Sequence, residues 1–196
     1  MDKMREGLRI KRKLVCGVGV NDADYVVCRG GVIVCPYYRV WSGIIRRASS
    51  YKFKKRNKTY AECSVCDDWL IFSKFKAWMQ TQDWVGKEID KDLIVAGNKE
   101  YRPDLCVFVS KQINTFITEN KTTKNKLTGA YFHKKSGMYQ ASCKDPFTKK
   151  LVHIGLFDND TEAHLAWKEK KLWFAKSLAE LESNKIVSMA LIRRYE

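Results

Sequence analysis

The stretch from residue 129 to residue 167 reads GAYFHKKSGMYQASCKDPFTKKLVHIGLFDNDTEAHLAW and decides the fold of the chain. Apolar and polar residues alternate in it over short runs, a pattern typical of half-buried strands. It predicts three strands, at Gly129–Lys134, Met138–Lys144 and Leu151–Phe157. Ser136-Gly137 and the segment Pro146–Lys149 supply residues suited to the turns between them.

A long helix is predicted to follow the third strand. Residues 158–162 are acidic or capping residues suited to a helix N-terminus. The apolar face of this helix comprises Ala163, Ala166, Trp167, Phe174 and Leu178. Because an isolated three-stranded sheet is marginally stable in water, we expect the helix to pack across one face of the sheet and to leave the other face free.

The free face is predicted to be polar and basic, because alternate side chains point to opposite sides of a strand. Its expected members are Tyr131, His133, Lys135, Gln140, Ser142, Lys144 and His153. A polar face of three strands fits the major groove of DNA, where side chains reach base edges and flanking lysines hold phosphates. Lys149 and Lys150 are the expected flanking lysines.

This region resembles the plant ethylene-response-factor type of DNA-binding domain, which also occurs in phage proteins. The matching residues are Gly129-Ala130-Tyr131, Tyr139-Gln140-Ala141, residues 154–158 (IGLFD) and residues 161–167 (TEAHLAW). The resemblance implies that the predicted free face contacts bases and phosphates. The plant domains use Arg and Trp at most of these positions and this chain does not, so no target sequence is implied.

The overall charge also favours a polyanionic partner. The 196 residues include 37 Lys and Arg against 22 Asp and Glu, which gives a formal net charge of +15. Such an excess is typical of proteins that bind nucleic acid or an anionic membrane surface, and a merely soluble basic protein is the alternative. Hydrophobic residues form 45% of the chain, enough for a packed core.

Neither export nor a membrane span is predicted. No apolar run approaches the ~20 residues that cross a bilayer, and no apolar stretch follows the first residues, Met1-Asp2-Lys3-Met4-Arg5. We therefore expect the cytoplasm, that of the host cell if the protein is phage-encoded, and free thiols for the seven cysteines. Cys63 and Cys66 form the one CxxC pair, without nearby histidines, so no zinc site is expected.

The middle of the chain predicts helices followed by a strand, a loop, a second strand and a helix. The helices are expected from Tyr37 to about Ser49 and from about Cys66 to Gln80, with an exposed basic loop at Tyr51–Thr59. Glu88–Ile94 and Leu105–Val109 are the predicted strand pair, and Ser110 is the predicted cap of the last helix. The polar residues 119–127 predict a linker.

This arrangement resembles the HNH endonucleases of phages, especially the homing-type members. The resembling stretches include residues 41–47, residues 66–75, Ile89-Asp90-Lys91, Gly97-Asn98, Tyr101-Arg102-Pro103 and residues 106–114. The resemblance implies a double-stranded DNA substrate and a metal held by Asp90 and Asn114, whose oxygens suit Mg²⁺ or Mn²⁺. Such a metal polarises the scissile phosphate.

Two departures from the family weigh against catalysis. Lys91 stands where the family has a histidine base, and a lysine of ordinary pKa, about 10.4, is protonated at neutral pH. Leu105 stands at a loop position that is often Asn. Asp92 is a candidate second carboxylate, since residues two apart on a strand face the same side. The catalytic candidates are thus Asp90, Lys91, Asp92 and Asn114, in an active nuclease or in an inactive scaffold that still binds DNA.

The predicted fold class is therefore α+β. It comprises a basic N-terminal segment with short β structure (1–36), an HNH-like ββα module with preceding helices (37–118), the linker (119–127), and a three-stranded antiparallel sheet packed on one long helix (128–196).

Overall fold

The computed structural model describes residues 12–118 and 127–196, which form two compact units. The first unit comprises residues 12–83 and 98–105, and the second comprises residues 84–97, 106–118 and 127–196. In chain order the elements are β1 (Cys28–Arg29), β2 (Val32–Ile33), α1 (Pro36–Ser49), α2 (Tyr51–Arg56), β3 (Ser64–Val65), α3 (Phe72–Gln80), β4 (Lys87–Asp90), β5 (Glu100–Tyr101), β6 (Val107–Ser110), α4 (Lys111–Ile117), β7 (Ala130–His133), β8 (Met138–Lys144), β9 (Leu151–Phe157), α5 (Asp160–Leu181) and α6 (Lys185–Arg193).

The core of the first unit lies between α1 and α3. Trp41, Ile44 and Ile45 of α1 are fully buried, as the spacing of apolar residues predicts. The Trp41 indole Nε1 donates a 2.7 Å hydrogen bond to the Trp69 carbonyl, which satisfies the polar edge of a buried ring. The predicted helix over residues 37–49 is confirmed.

Two local predictions in this unit are wrong. Residues 51–56 form the helix α2 instead of a loop, because the Ser50 hydroxyl accepts a hydrogen bond from Phe53 N and caps a new helix. The helix predicted from Cys66 to Gln80 is interrupted at Ile71, whose backbone is extended. Ile71 forms a parallel β-bridge with Val20, and this pairing takes it out of the helix.

An antiparallel strand pair followed at once by a helix belongs to the second unit; the pair, β4 and β6, is called the hairpin below, although β5 lies between its strands in the chain. β4 and β6 are antiparallel, with Asp90 opposite Val107 and Glu88 opposite Val109. The hydroxyl of Ser110 accepts a 3.2 Å hydrogen bond from Ile113 N and so caps α4. The predicted order of strand, loop, strand and helix is therefore present, although the loop contains the short strand β5 and the second strand begins two residues later than expected.

The three-stranded antiparallel sheet and the long helix are confirmed. The strand order is β7-β8-β9, and α5 packs on all three strands. The Asn159 side chain accepts a 2.9 Å hydrogen bond from Glu162 N and caps α5. The remaining helix, α6, packs on α5.

Small residues bring the sheet and α5 into close contact. Ala141 of β8 and Ala163 of α5 are fully buried. Gly129, at a φ of +82°, lies so close to Trp167 that a Cβ atom on it would be 2.0 Å from Trp167 Cγ. Only glycine therefore fits both the backbone conformation and the space at this position.

The hairpin, α4, the sheet and α5 share one hydrophobic core. Val109, Ile113 and Phe116 belong to the same buried cluster as Ala141 and Trp167. The packing thus groups the chain differently from the predicted boundaries, which separate residues 37–118 from residues 128–196. Residues 119–126 of the predicted linker and residues 1–11 of the predicted N-terminal segment lie outside the described residues.

The carboxyl end of α4 is held by groups from the C-terminal part of this unit. The Lys171 ammonium donates a 2.7 Å hydrogen bond to the Phe116 carbonyl and lies 3.6 Å from the centre of the Phe116 ring. Arg194 donates to the Ile117 carbonyl at 3.2 Å, and the Tyr195 hydroxyl is 3.5 Å from the Phe116 carbonyl. Cations at a helix C-terminus stabilise the helix dipole and its unpaired carbonyls.

Among the described residues, none of the helices combines the length and apolar character that a membrane span requires.

Candidate nucleic-acid interface and metal centre

The sheet face opposite α5 exposes most of the residues predicted for it. In the strand register Tyr131 lies opposite Gln140, and Ser142 lies opposite His153. On β8 the side chains alternate between the buried Ala141 and Cys143 and the more exposed Ser142 and Lys144. Tyr131 is 49% exposed, enough for its ring to contact a partner.

Two leucines outside the predicted set also lie on this face. Leu151 is opposite Lys144, and Leu156 is opposite Gln140. The register shifts between Ala141 and Ser142, so β9 has one extra residue there. This bulge exposes Leu156 as well as His153, which simple alternation over seven residues does not predict.

The remaining predicted contact residues lie at the end of β7 or in the turns between the strands. Lys135 lies in the turn, two residues after the last residue of β7, so its position does not come from strand alternation. His133 ends β7, and its Nδ1 forms a 2.8 Å hydrogen bond with the Ser136 hydroxyl. Lys149 and Lys150 are exposed in the connection between β8 and β9. The Lys149 ammonium donates to the Pro146 carbonyl.

His164 has a structural role. Its Nδ1 donates a 2.7 Å hydrogen bond to the Thr128 carbonyl, and its ring stacks on Trp167 with centroids 5.7 Å apart. This contact fixes the entry to β7 against α5.

A groove of about 680 Å³ lies beside the sheet within the second unit. One wall comprises α4 residues, among them Asn114 and Thr115. The other wall comprises Ser142 and Lys144 from the end of β8 and Lys149 from the following turn. The groove therefore connects the free face of the sheet with α4.

The predicted metal ligands lie on one side of the hairpin. Glu88 and Asp90 are two residues apart on β4 and share a face. The Asn114 side-chain amide donates a hydrogen bond to the Glu88 carboxylate, which places α4 against that face. Glu88 was not among the predicted site residues, although its spacing from Asp90 could have indicated it. Because the Nδ2 group of Asn114 faces Glu88, the carbonyl oxygen of Asn114 points away from Glu88.

The Asp90 carboxylate is partly buried and bonded to the following loop. Its Oδ1 accepts hydrogen bonds from Asp92 N at 2.9 Å and from Leu93 N at 2.7 Å. Burial, and secondarily the negative charge of Asp92, raise the pKa of Asp90 above its usual value of 3.8. A carboxylate kept in unfavourable surroundings is frequent at functional sites.

The predicted pairing of Asp90 with Asp92 on one strand is wrong. The hydrogen bonds from Asp92 N and Leu93 N to Asp90 turn the chain, so β4 ends at Asp90 and Asp92 lies in the loop. Asp92 instead forms an ion pair with Lys91, at 3.1 Å between Nζ and Oδ2. Lys91 is only 8% exposed, so this pair compensates a largely buried charge.

The residues present fit a metal site only in part. Within the described ranges there is no group of three or more His, Cys, Asp or Glu side chains arranged to hold a metal ion. Asp90 and Asn114 offer two oxygen ligands, and Mg²⁺ is commonly bound by one or two protein carboxylates together with substrate phosphates. The pair therefore suits a metal site only if phosphate oxygens of a bound ligand supply the remaining ligands.

Comparison of the chain with protein-family models, with curated proteins and with solved structures finds no match.

Proposed function

We propose that the protein binds double-stranded DNA through the free face of the β7-β8-β9 sheet. The observation that carries the proposal is the asymmetry of this sheet. One face is buried by α5, and the other exposes Tyr131, Ser142, Lys144 and His153, among others. These side chains offer aromatic, donor and cationic groups, the kinds that contact base edges and phosphates.

The charge of the first unit supports a polyanionic partner. Residues 36–61 contain neither Asp nor Glu. The helix α2 within this stretch is exposed along much of its length and carries the cations Lys52, Lys54, Lys55 and Arg56. Each lysine or arginine that neutralises a DNA phosphate releases counterions, so affinity should depend steeply on salt.

We further propose that the hairpin β4-β6 with α4 is an HNH-type site for hydrolysis of DNA with Mg²⁺ or Mn²⁺. Asp90 and Asn114 would hold the ion, and Glu88 would orient the Asn114 amide. The bound ion would supply Lewis-acid stabilisation of the phosphate. Lys91 is paired with Asp92, and we therefore assign it to fixing the loop and not to accepting a proton.

A non-catalytic DNA-binding regulator or architectural protein is the second candidate. It is favoured by the Lys91–Asp92 pair at the position of the family's base and by the use of Asp90 Oδ1 to hold the loop. In that case the hairpin and α4 would serve only as a scaffold for the sheet.

Incubation with supercoiled plasmid and Mg²⁺ or Mn²⁺ distinguishes the two candidates. We expect the wild type to nick the plasmid. Asp90→Ala should lower the rate at least 100-fold, roughly the loss on removing an essential catalytic group. The control Glu169→Ala, which removes an exposed carboxylate from α5, should retain activity. Intact plasmid together with a retained gel shift would support the regulator. Absence of a shift with DNA, or equal competition by duplex RNA, whose major groove excludes a sheet, would contradict both.

A further inference from the structure

The groove between α4 and the end of β8 reaches from the DNA-contacting face to Asn114. We infer that it binds the sugar–phosphate backbone of one DNA strand, which passes from the sheet towards the hairpin; the inference rests on the proposed function. Its volume of about 680 Å³ lies in the range of pockets for small organic ligands, which suits a short segment of one strand and not a duplex.

Charge in the groove favours a phosphate. Lys144, Lys149 and Lys171 line it. Of the described residues that line it, Asp145 is the one acid. Its carboxylate accepts hydrogen bonds from Phe147 N at 2.7 Å and from the Thr148 hydroxyl at 2.9 Å. The negative charge of Asp145 is thus hydrogen-bonded within its own turn, and the lysines make the net charge of the groove lining positive.

Lys149 occupies a backbone position that favours glycine. Its φ is +63°, in the left-handed region, and the turn around it is closed by the 2.9 Å hydrogen bond from Asp145 N to the Lys150 carbonyl. A lysine in such a conformation is strained, and strain of this kind clusters at functional sites. The Lys149 ammonium donates to the Pro146 carbonyl, another lining residue, and is therefore held at the edge of the groove.

Two variants test the inference without depending on catalysis. Lys149→Gly removes the ammonium and relieves the backbone, so its melting temperature should equal or exceed that of the wild type. Thr115→Tyr places a ring in the groove without changing the charge, since Thr115 is exposed on α4 and lines the groove. Lys176→Gln, on the exposed side of α5, is the control for loss of one charge.

Fluorescence anisotropy with a labelled duplex over a range of salt concentrations gives the readout. Loss of one phosphate contact should lower the slope of log affinity against log salt by about 0.9 and weaken binding about five- to tenfold at 0.1 M salt. We expect the lower slope and the weaker binding for Lys149→Gly and for Thr115→Tyr, and no change in slope for Lys176→Gln. A thermal melt of Thr115→Tyr checks that this variant folds.

The outcomes separate this inference from the proposed function. Wild-type protein that binds duplex DNA, with the same slope in both groove variants, overturns the groove assignment and leaves the sheet interface standing. A wild type that fails to bind the duplex overturns both. A slope lowered equally in Lys176→Gln shows that only total charge matters and also rejects the groove.

Discussion

At the scale of single residues, the fold opposes the negative charge that the proposed metal site would require of Asp90. Its raised pKa means that folding favours the neutral carboxyl. The stabilisation is fully present below the ordinary value of 3.8 and is lost as the pH rises through the raised value. Wherever Asp90 is charged, its burial therefore lowers the stability of the fold, and a metal ion bound at the proposed site would offset that loss.

We predict that Asp90→Asn raises the free energy of unfolding at pH 7 by about 1 kcal/mol. Under the proposed nuclease function the same change abolishes metal-dependent nicking. The amide oxygen still accepts from Asp92 N and Leu93 N, but the desolvated charge is gone. Urea unfolding at several pH values checks this, and the gain should shrink as the pH falls towards 4. Asp92→Asn, which breaks the ion pair with Lys91, should change stability in the other direction. A less stable Asp90→Asn at pH 7 would refute the argument.

The close contact between Gly129 and Trp167 gives a second prediction for a single residue. Gly129→Ala should lower the free energy of unfolding by at least about 2 kcal/mol, because its Cβ overlaps a buried ring and its φ is left-handed. The control Gly137→Ala has a φ of +69° but open space around the new Cβ. Its cost should be about 1 kcal/mol, from the backbone alone. Chemical denaturation measures both, and equal costs would show that the contact does not matter.

The resemblance to HNH endonucleases predicted Asp90 and Asn114 as metal ligands, but it could not predict the contacts that surround them. The prediction that Asp90 and Asp92 share a face required β4 to continue to Asp92. The Asp90 side chain accepts hydrogen bonds from the backbone N–H groups of Asp92 and Leu93, which would otherwise be available for pairing between strands. The strand therefore ends at Asp90. Strand alternation could have indicated that Glu88 shares a face with Asp90. The hydrogen bond from Asn114 to Glu88, however, depends on how α4 packs.

At the scale of elements, α4 depends on groups that come from far along the chain. Lys171→Met should lower the free energy of unfolding by about 2 kcal/mol, because the Phe116 carbonyl loses a charged donor and the ring loses its cation. The matched control is Lys170→Met, whose ammonium lies 4.0 Å from the ring of the exposed Trp173. That change should cost less than about 1 kcal/mol. Thermal and urea unfolding compare the two, and a Lys171→Met variant as stable as the wild type would contradict this role.

Elements whose pattern is local were predicted well. β8 and β9 have the predicted bounds, since alternation and turn residues lie within the same short stretch. The break at Ile71 was not predicted, because its cause is pairing with Val20, a tertiary contact without a local signal. The helix α2 was missed because its many cations suggested a solvated loop, whereas the Ser50 cap starts a helix there.

At the scale of the whole molecule, the sequence indicated the class of fold but not the grouping of its parts. Composition changes at the polar residues 119–127 suggested a boundary there. The shared core of Val109, Ile113, Ala141 and Trp167 instead joins the hairpin and the sheet in one unit. Such grouping depends on contacts between distant residues, which alternation and capping signals do not encode.

The shared core has a consequence for where a cut would fall. In a nuclease whose two parts are joined by a flexible tether, the distance between the base pairs that are read and the bond that is broken can vary. Here the proposed reading face and the proposed cleavage site are packed on the same buried side chains. The protein would therefore cut at a constant number of base pairs from its recognition sequence. If base pairs were inserted between that sequence and the original cleavage position, the cut would fall at a different sequence but at the same distance.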